Sequence, residues 1–363
     1  MKKIKLYIFH PYSNVGGADL SISRLINNLD NKKYDITFIC LNKPGIIRYL
    51  KKKIKIITIK KNRTFFSFFE LRNIIWQNYD LDKEYKKVIF ISNQNYANVL
   101  TICSLRSFHH LKIILVERNN PIELDFSKSI KSKLVKFLIR FTYKYADKII
   151  SISRDLGFDL EKICHKKVHS IYNPSFDPKL YKYKERKKNK KKIVLCVARF
   201  EKQKNHEMLL KAFKLSLGHI NSHLILFGYG SEKKNIKEII KKNKLEENVK
   251  IISGEKNPIV LYKKADLFVL TSIYEGFGNV LVEAGAFKIP IISTNCKSGP
   301  REILNNGKLG DLVKINDYKK LSNLIVKNLN YPDKLKISKM YKSLNRFNIN
   351  THVDKYEKIF KTI

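Results

Sequence analysis

The sequence predicts an α/β protein built from two Rossmann-like, doubly wound domains. Three observations carry that expectation. In both halves, short unbroken apolar runs such as IKLYIF and LFVL alternate with segments whose apolar residues recur at helical spacing. Several of the connections from an apolar run to the following helix hold glycines, as strand-to-helix turns do. The length of 363 residues suits two domains of ordinary size, and a hydrophobic fraction of 44% supplies a core for each.

In the first half, residues 4–9 read as a strand that runs through PYSNVGGA, residues 11–18, into a helix expected from Asp19. Leu20, Ile22, Leu25, Ile26 and Leu29 form its apolar side. The unit lacks GxGxxG, so a nicotinamide-binding fingerprint is not supported. Residues 35–41 and 54–59 are further strands. A basic cluster, Lys60, Lys61 and Arg63, then abuts Phe65, Phe66, Phe68 and Phe69, and a helix follows through Leu71, Ile74, Ile75 and Trp76. Four phenylalanines are more often core; the other reading is insertion into lipid beneath the basic residues. Asp80-Leu81-Asp82 matches a DxD metal pair literally but sits in a charged connection, which reads as solvated loop.

Residues 88–91 and 112–116 are strands, with His109 and His110 before the second in a structural or surface role and Glu117-Arg118-Asn119-Asn120-Pro121 after it. Residues 129–145 make the best basic amphipathic helix. Ile130, Leu134, Phe137, Leu138, Phe141 and Tyr145 line one face, and Lys133, Lys136, Arg140 and Lys144 another. Either this is a core helix with a wet back or it lies on a membrane surface. Residues 148–151 are a strand, and the stretch after Pro174 to Lys192 is very basic without apolar period, which reads as an exposed connection.

The second half opens with a buried strand, 193–198, followed by Arg199 to Asn205 and a helix through Met208, Leu209, Leu210, Ala212 and Phe213. Strands at 223–227 and 249–253 end in Gly228 and Gly254. Leu267–Leu270 is the next strand, then a turn, Glu275-Gly276-Phe277-Gly278-Asn279, then Val280, Leu281, Ala284 and Phe287 at helical spacing. Such a unit leaves backbone N–H groups at a helix N-terminus, where they and the helix dipole favour a phosphate. Glycines let a ligand approach closely. Glu275 and Glu283 bracket the turn, and carboxylates accept well from sugar hydroxyls. Phosphate and polyol together describe a sugar nucleotide. Residues 289–294 are a strand, 298–302 a loop near the site, and 349–363 a helix.

The run EGFGNVLVEAGAFKIPIIS, continued by SGPREIL and GDLV, resembles the E-x7-E signature of family 4 (group 1) GT-B retaining glycosyltransferases, which build bacterial surface polysaccharides and lipid-linked glycans. The resemblance covers nearly the whole chain and is most specific over residues 193–313. It implies two domains facing across a cleft. These are an acceptor-side domain, 1–173, a basic linker, 174–192, a nucleotide-sugar domain, 193–345, and a C-terminal helix, 346–363, crossing back to the first. It implies that Arg199 and Lys204 neutralise the donor diphosphate, aided by the amides of Phe277, Gly278 and Asn279. Glu275 would hold sugar hydroxyls and Glu283 ribose hydroxyls, with Gly276 in the turn and Gly254 beside the nucleobase. Gly16 and Gly17 would face the donor phosphates. Arg118, next to Asn119, stands where relatives often carry a histidine. A guanidinium binds phosphate bidentately but does not serve as a base near neutral pH. The partners implied are a nucleoside-diphosphate sugar, a lipid-linked glycan acceptor and an anionic membrane at the inner cytoplasmic face, with no metal or other cofactor. A GT-B sugar-nucleotide epimerase is the alternative.

Composition bounds the rest. A formal net charge of +41 attracts polyanions: nucleic acid, anionic lipid or phosphorylated substrate. A uniformly solvated lysine shell from a biased genome is the equal competing reading. No helix-turn-helix, zinc-finger or RNP-like motif supports specific nucleic-acid binding. Five cysteines with no CxxC read as reduced thiols of a cytoplasmic protein without a zinc site. The apolar run in MKKIKLYIFH is too short for a signal peptide, and no apolar run is long enough to span a bilayer.

Overall fold

A computed structural model describes residues 2–11, 16–42, 45–121, 130–179, 181, 191–253 and 258–363. The chain divides into two compact units, 1–174 with 349–363, and 175–348. In the first, β1 (Ile4–Phe9), β2 (Tyr34–Leu41), β3 (Lys55–Ile59), β4 (Lys87–Asn93), β5 (Leu111–Glu117), β6 (Lys148–Ser151) and β7 (Val168–Ser170) form one sheet. Its order is β3-β2-β1-β4-β5-β6-β7 and every pair is parallel. The continuous apolar runs of β1, β4 and β5 follow from burial on both sheet faces.

The first helix, Gly17–Asn28, starts two residues earlier than the apolar period suggests, because Asp19 lies inside its first turn and accepts from the Gly16 amide at 2.7 Å. Ile22, Leu25 and Ile26 face a core shared with β1, β2, β4 and the C-terminal helix Ile349–Thr362, which contributes Val353, Tyr356 and Phe360. That helix is thus part of the first unit although it ends the sequence.

Three expectations fail here. Phe65, Phe66 and Phe69 are exposed, and so is Trp76; the helix Phe68–Gln77 buries Leu71 and Ile75 instead. The helix Ile130–Thr142 buries Val135 and Ile139, whereas Ile130, Leu134, Phe137 and Phe141, read as its apolar row, are exposed, so the face that meets the core is not the expected one. Asp82 is not solvated: it is buried and accepts from the Tyr7 hydroxyl at 2.9 Å, with His110 Nε2 at 3.6 Å and His109 exposed.

The second unit holds β8 (Lys192–Val197), β9 (Ser222–Phe227), β10 (Val249–Ile252), β11 (Leu267–Leu270), β12 (Ile291–Thr294) and β13 (Asp311–Val313). The order is β10-β9-β8-β11-β12-β13, again all parallel. Residues 175–181 belong to this unit rather than to an exposed linker, in so far as they are described. Phe176 and Tyr181 are buried and stacked, with ring centroids 6.2 Å apart. Most of the remaining basic linker, 182–190, lies outside the described residues.

Candidate functional site

In each sheet the strand order reverses at one place, between β1 and β4 and between β8 and β11. Connections leave such a pair toward opposite faces, so the loops beyond the strand C-termini part and leave a crevice. In the second unit, the two loops at this point are Ala198 to Asn205, after β8, and Thr271 to Gly278, after β11. They are the loops that carry the predicted donor residues.

The loops are stitched together. The Ile273 amide donates to the Gln203 carbonyl and the Gln203 side chain to the Tyr274 carbonyl, both at 2.8 Å. The Thr271 hydroxyl donates to the Lys204 carbonyl at 2.9 Å. These bonds bring Lys204 Nζ to 2.5 Å from Glu275 Oε1, in a pair that is largely buried. Ser272 donates to the same oxygen at 2.6 Å, and Ser272 is itself held through its carbonyl by the Thr294 hydroxyl at 2.5 Å. Lys204 and Glu275, read from the sequence as separate groups, are one charge-assisted contact. An ammonium has three donors, so Lys204 keeps others for a ligand.

After Glu275 the chain turns through Gly276 and the buried Phe277 into the helix Asn279–Ala286. Gly278 sits at φ +96° just before the first turn, a conformation a side chain would strain. Gly299, at φ +84°, lets a second loop press on this turn: a Cβ there would lie 1.7 Å from the Phe277 carbonyl oxygen. The amides of Gly278 and Val280 have no acceptor among the described residues and lie at the helix N-terminus. Asn279 accepts from the Ser175 hydroxyl at 2.6 Å. One turn on, Glu283 is half-buried and accepts from the Tyr262 hydroxyl at 2.9 Å. Tyr262 is wholly buried and stacked on Phe287, with ring centroids 5.6 Å apart and planes 8° apart. Burial beside that carboxylate drives the Tyr262 hydroxyl's pKa well above its ordinary value, so it stays a donor. Arg199 is exposed on the β8 loop, and Gly254 lies outside the described residues.

The first unit gathers a different cluster at its own switch point. Arg118, expected to offer its guanidinium to phosphate, is buried instead. Its Nε donates to Asn93 at 3.1 Å and an Nη to Asn173 at 3.2 Å. Its neighbour Glu117 is fully buried, accepts from the Tyr143 hydroxyl at 2.7 Å and the Arg118 amide at 3.0 Å, and is pushed up to about 7 by desolvation. Asn119 stands exposed on the same loop. The Gly16 amide, expected to face a phosphate, donates to Asp19, whose other oxygen lies 3.0 Å from buried His10 Nε2. Burial lowers the pKa of His10, which keeps it neutral. Gly17 is the first residue of its helix.

Sequence reasoning missed Ser272, Gln203, Thr294 and Tyr262 in the second unit and Glu117, Asn93 and Asn173 in the first. None belongs to a periodic or charged pattern. A signal was available for some: Asn93, Glu117 and Thr294 each end a buried strand, Glu117 beside Arg118, and Gln203 adjoins Lys204.

Two family models match the chain. One, described as glycosyl transferases group 1, matches residues 179–346, and the other, glycosyltransferase family 4, matches residues 15–174. The chain is 29% identical over 294 residues to an uncharacterised glycosyltransferase of Methanocaldococcus jannaschii, covering 76% of this chain and 72% of that one. It is 27% identical, over 87% of each chain, to the N-acetylgalactosamine-N,N'-diacetylbacillosaminyl-diphospho-undecaprenol 4-alpha-N-acetylgalactosaminyltransferase of Campylobacter jejuni. Among solved structures, Anabaena HepE in complex with UDP and glucose shares the fold. The TM-score is 0.80, with 18% identity, over 99% of this chain and 100% of that one.

Proposed function

The chain belongs to the group 1 and family 4 glycosyltransferases, with the GT-B fold, and from that premise we propose the following reaction. It moves a hexose or N-acetylhexosamine from a UDP-sugar, with retention of configuration, to a glycan growing on a lipid carrier at the inner face of the cytoplasmic membrane. The observation that carries this reading is the buried Lys204–Glu275 pair beside the N-terminus of the helix that bears Glu283. It sets a cation, a carboxylate and backbone donors together, which is what a phosphate next to a polyol requires.

In this reading the bond from the anomeric carbon to the β-phosphate oxygen breaks, and its electron pair stays on the departing diphosphate. Lys204 and Arg199 counter the charge that develops, with the amides at the head of the helix. Glu275 accepts from sugar hydroxyls. Glu283, held by Tyr262, accepts from the ribose. The acceptor hydroxyl bonds to the anomeric carbon from the face being vacated, and its proton passes to the leaving phosphate. Glu275 and Glu283 are not a hydrolase acid–base pair, which would have to flank the glycosidic bond with a water in place.

The uridine nucleotide is supported by the UDP complex of HepE, and the lipid carrier by the named substrate of the Campylobacter relative. The reading takes the membrane setting as peripheral; among the described residues no helix is long and apolar enough to cross a bilayer. The relatives compared are transferases, and they lend the epimerase alternative no support.

The test is nucleoside-diphosphate release from a panel of UDP-, GDP- and TDP-sugars, with and without bacterial lipid extract. Release from a UDP-sugar that rises with lipid is expected. Interconversion of sugar nucleotides without lipid would favour the epimerase. Wild-type transfer by Glu283→Ala would refute the ribose assignment.

A further inference from the structure

Every exposed phenylalanine among the described residues, and the chain's one tryptophan, lies in the first unit, and all but Phe158 fall on one flank. Phe65, Phe66, Phe69 and Trp76 are 78%, 55%, 73% and 72% exposed, on the short helical turn Thr64–Ser67 and the helix Phe68–Gln77. That helix packs beside Asn95–Leu105, which packs in turn beside Ile130–Thr142. The third helix turns Leu134, Phe137 and Phe141 outward. Single exposed apolar residues are ordinary; two rows of them on helices that flank a third are a surface.

Cations are interleaved with the rings. Lys60, Lys61 and Arg63 precede the first row, and Lys133, Arg140 and Lys144 flank the second, all exposed. Arg72 lies over the Phe108 ring at 5.0 Å and Arg106 over Tyr145 at 4.0 Å. Glu70 is the carboxylate within the first row, and Lys61 pairs with it at 3.0 Å. A protein interface concentrates aromatics but is depleted of lysine at its core. Rings set among lysines on a chain of charge +41 suit the boundary of an anionic bilayer. There rings enter the headgroup region and cations meet phosphates.

We infer that the flank formed by Thr64–Gln77 and Ile130–Thr142 is the surface with which this protein docks on anionic lipid, Phe65, Phe66, Phe69 and Trp76 inserting. This surface deepens the membrane-face reading above and rests on it for its setting. The helix Ile130–Thr142 runs on to Tyr143, whose hydroxyl holds Glu117 at 2.7 Å. The docking helix is therefore tied directly to the loop that carries Arg118 and Asn119.

Trp76, being the only tryptophan, reports the event without a label. The full chain is mixed with vesicles of phosphatidylcholine, with and without phosphatidylglycerol, and followed by Trp76 emission and by co-sedimentation. Expected are a blue shift and quenching by bromine-labelled acyl chains on the anionic vesicles only, weakened by added salt. The variant Phe65→Ser/Phe66→Ser/Phe69→Ser should bind at least roughly tenfold more weakly, with an unchanged melting curve. Tyr331→Ser, which removes an equally exposed ring from the second unit, should bind as wild type. Co-sedimentation without any change at Trp76, or wild-type binding by the triple variant, would overturn the inference. So would a blue shift that grows with protein concentration in the absence of lipid, since a second copy would then cover the flank. Vesicle docking by a protein that turns over no sugar nucleotide would leave the surface standing and sink the transferase chemistry. Turnover on a lipid-linked acceptor without docking would do the reverse.

Discussion

Replacing Lys204 by methionine separates what the buried pair does for the fold from what it does for the donor. Lys204 Nζ lies 2.5 Å from Glu275 Oε1, and little of either side chain reaches solvent. Removing one member strands the other charge away from water, which costs roughly 3–5 kcal/mol, whereas removing both is close to neutral. Glu275 would keep its 2.6 Å bond from Ser272, so the lower end, about 3 kcal/mol, applies. In a unit of this size about 1 kcal/mol moves the Tm by roughly 2–4 °C. Lys204→Met should therefore melt about 6–12 °C below wild type, and Lys204→Met/Glu275→Gln should recover most of that. Donor binding should not recover. UDP at about a hundred times its Kd adds about 2.7 kcal/mol to a competent binder, and neither variant should gain it. A fluorescence-monitored melt with and without UDP reads both effects. A single variant that melts with wild type would refute the buried-pair argument. A double variant that UDP stabilises as it does wild type would remove Lys204 from the donor site.

Three further outcomes follow from the same geometry. Tyr262→Phe deletes one hydroxyl from the bond to Glu283 and should cost about 1 kcal/mol. Steady-state kinetics should show a severalfold rise in donor KM with kcat nearly unchanged, and a fall in kcat alone would contradict the positioning role. Gly299→Ala forces a Cβ against the Phe277 carbonyl oxygen at φ +84°. It should destabilise the second unit by more than about 1 kcal/mol and weaken UDP binding; a neutral result in both would show that the turn does not need that contact. Burial lowers the pKa of His206 from 6.5 to about 4, so the unfolded chain takes the proton more readily than the folded one. Its contribution to stability is complete above pH 6.5 and is lost as the pH falls toward 4, in total roughly 3 kcal/mol. Urea midpoints across that range should fall less steeply in His206→Leu, by about one proton, and equal slopes would rule out the buried neutral histidine.

Much of the fold was legible because strand and helix are local patterns. The unbroken runs of β1, β5, β8 and β11 and the helix that bears Glu283 lie where periodicity puts them, within a residue or two. The candidate donor residues were legible for a similar reason: Glu275, Gly278 and Glu283 sit on one strand-turn-helix unit, so their spacing nearly fixes their placement. The errors share another cause. Period gives the angle between residues on a helix but not which side meets the core. Period therefore leaves Phe65, Phe66 and Phe69 open to a core reading, while Leu71 and Ile75 hold that place.

By itself, then, the sequence determined two wound α/β units, the glycine turn and the family signature, since each depends on neighbours along the chain. Only the tertiary structure decided partners. Lys204 meets Glu275 across 71 positions, and Arg118 meets Asn173 across 55. Those contacts are set by which strands adjoin in each sheet. Strand adjacency is decided by burying all the apolar surface at once, and no local window of the sequence contains that constraint.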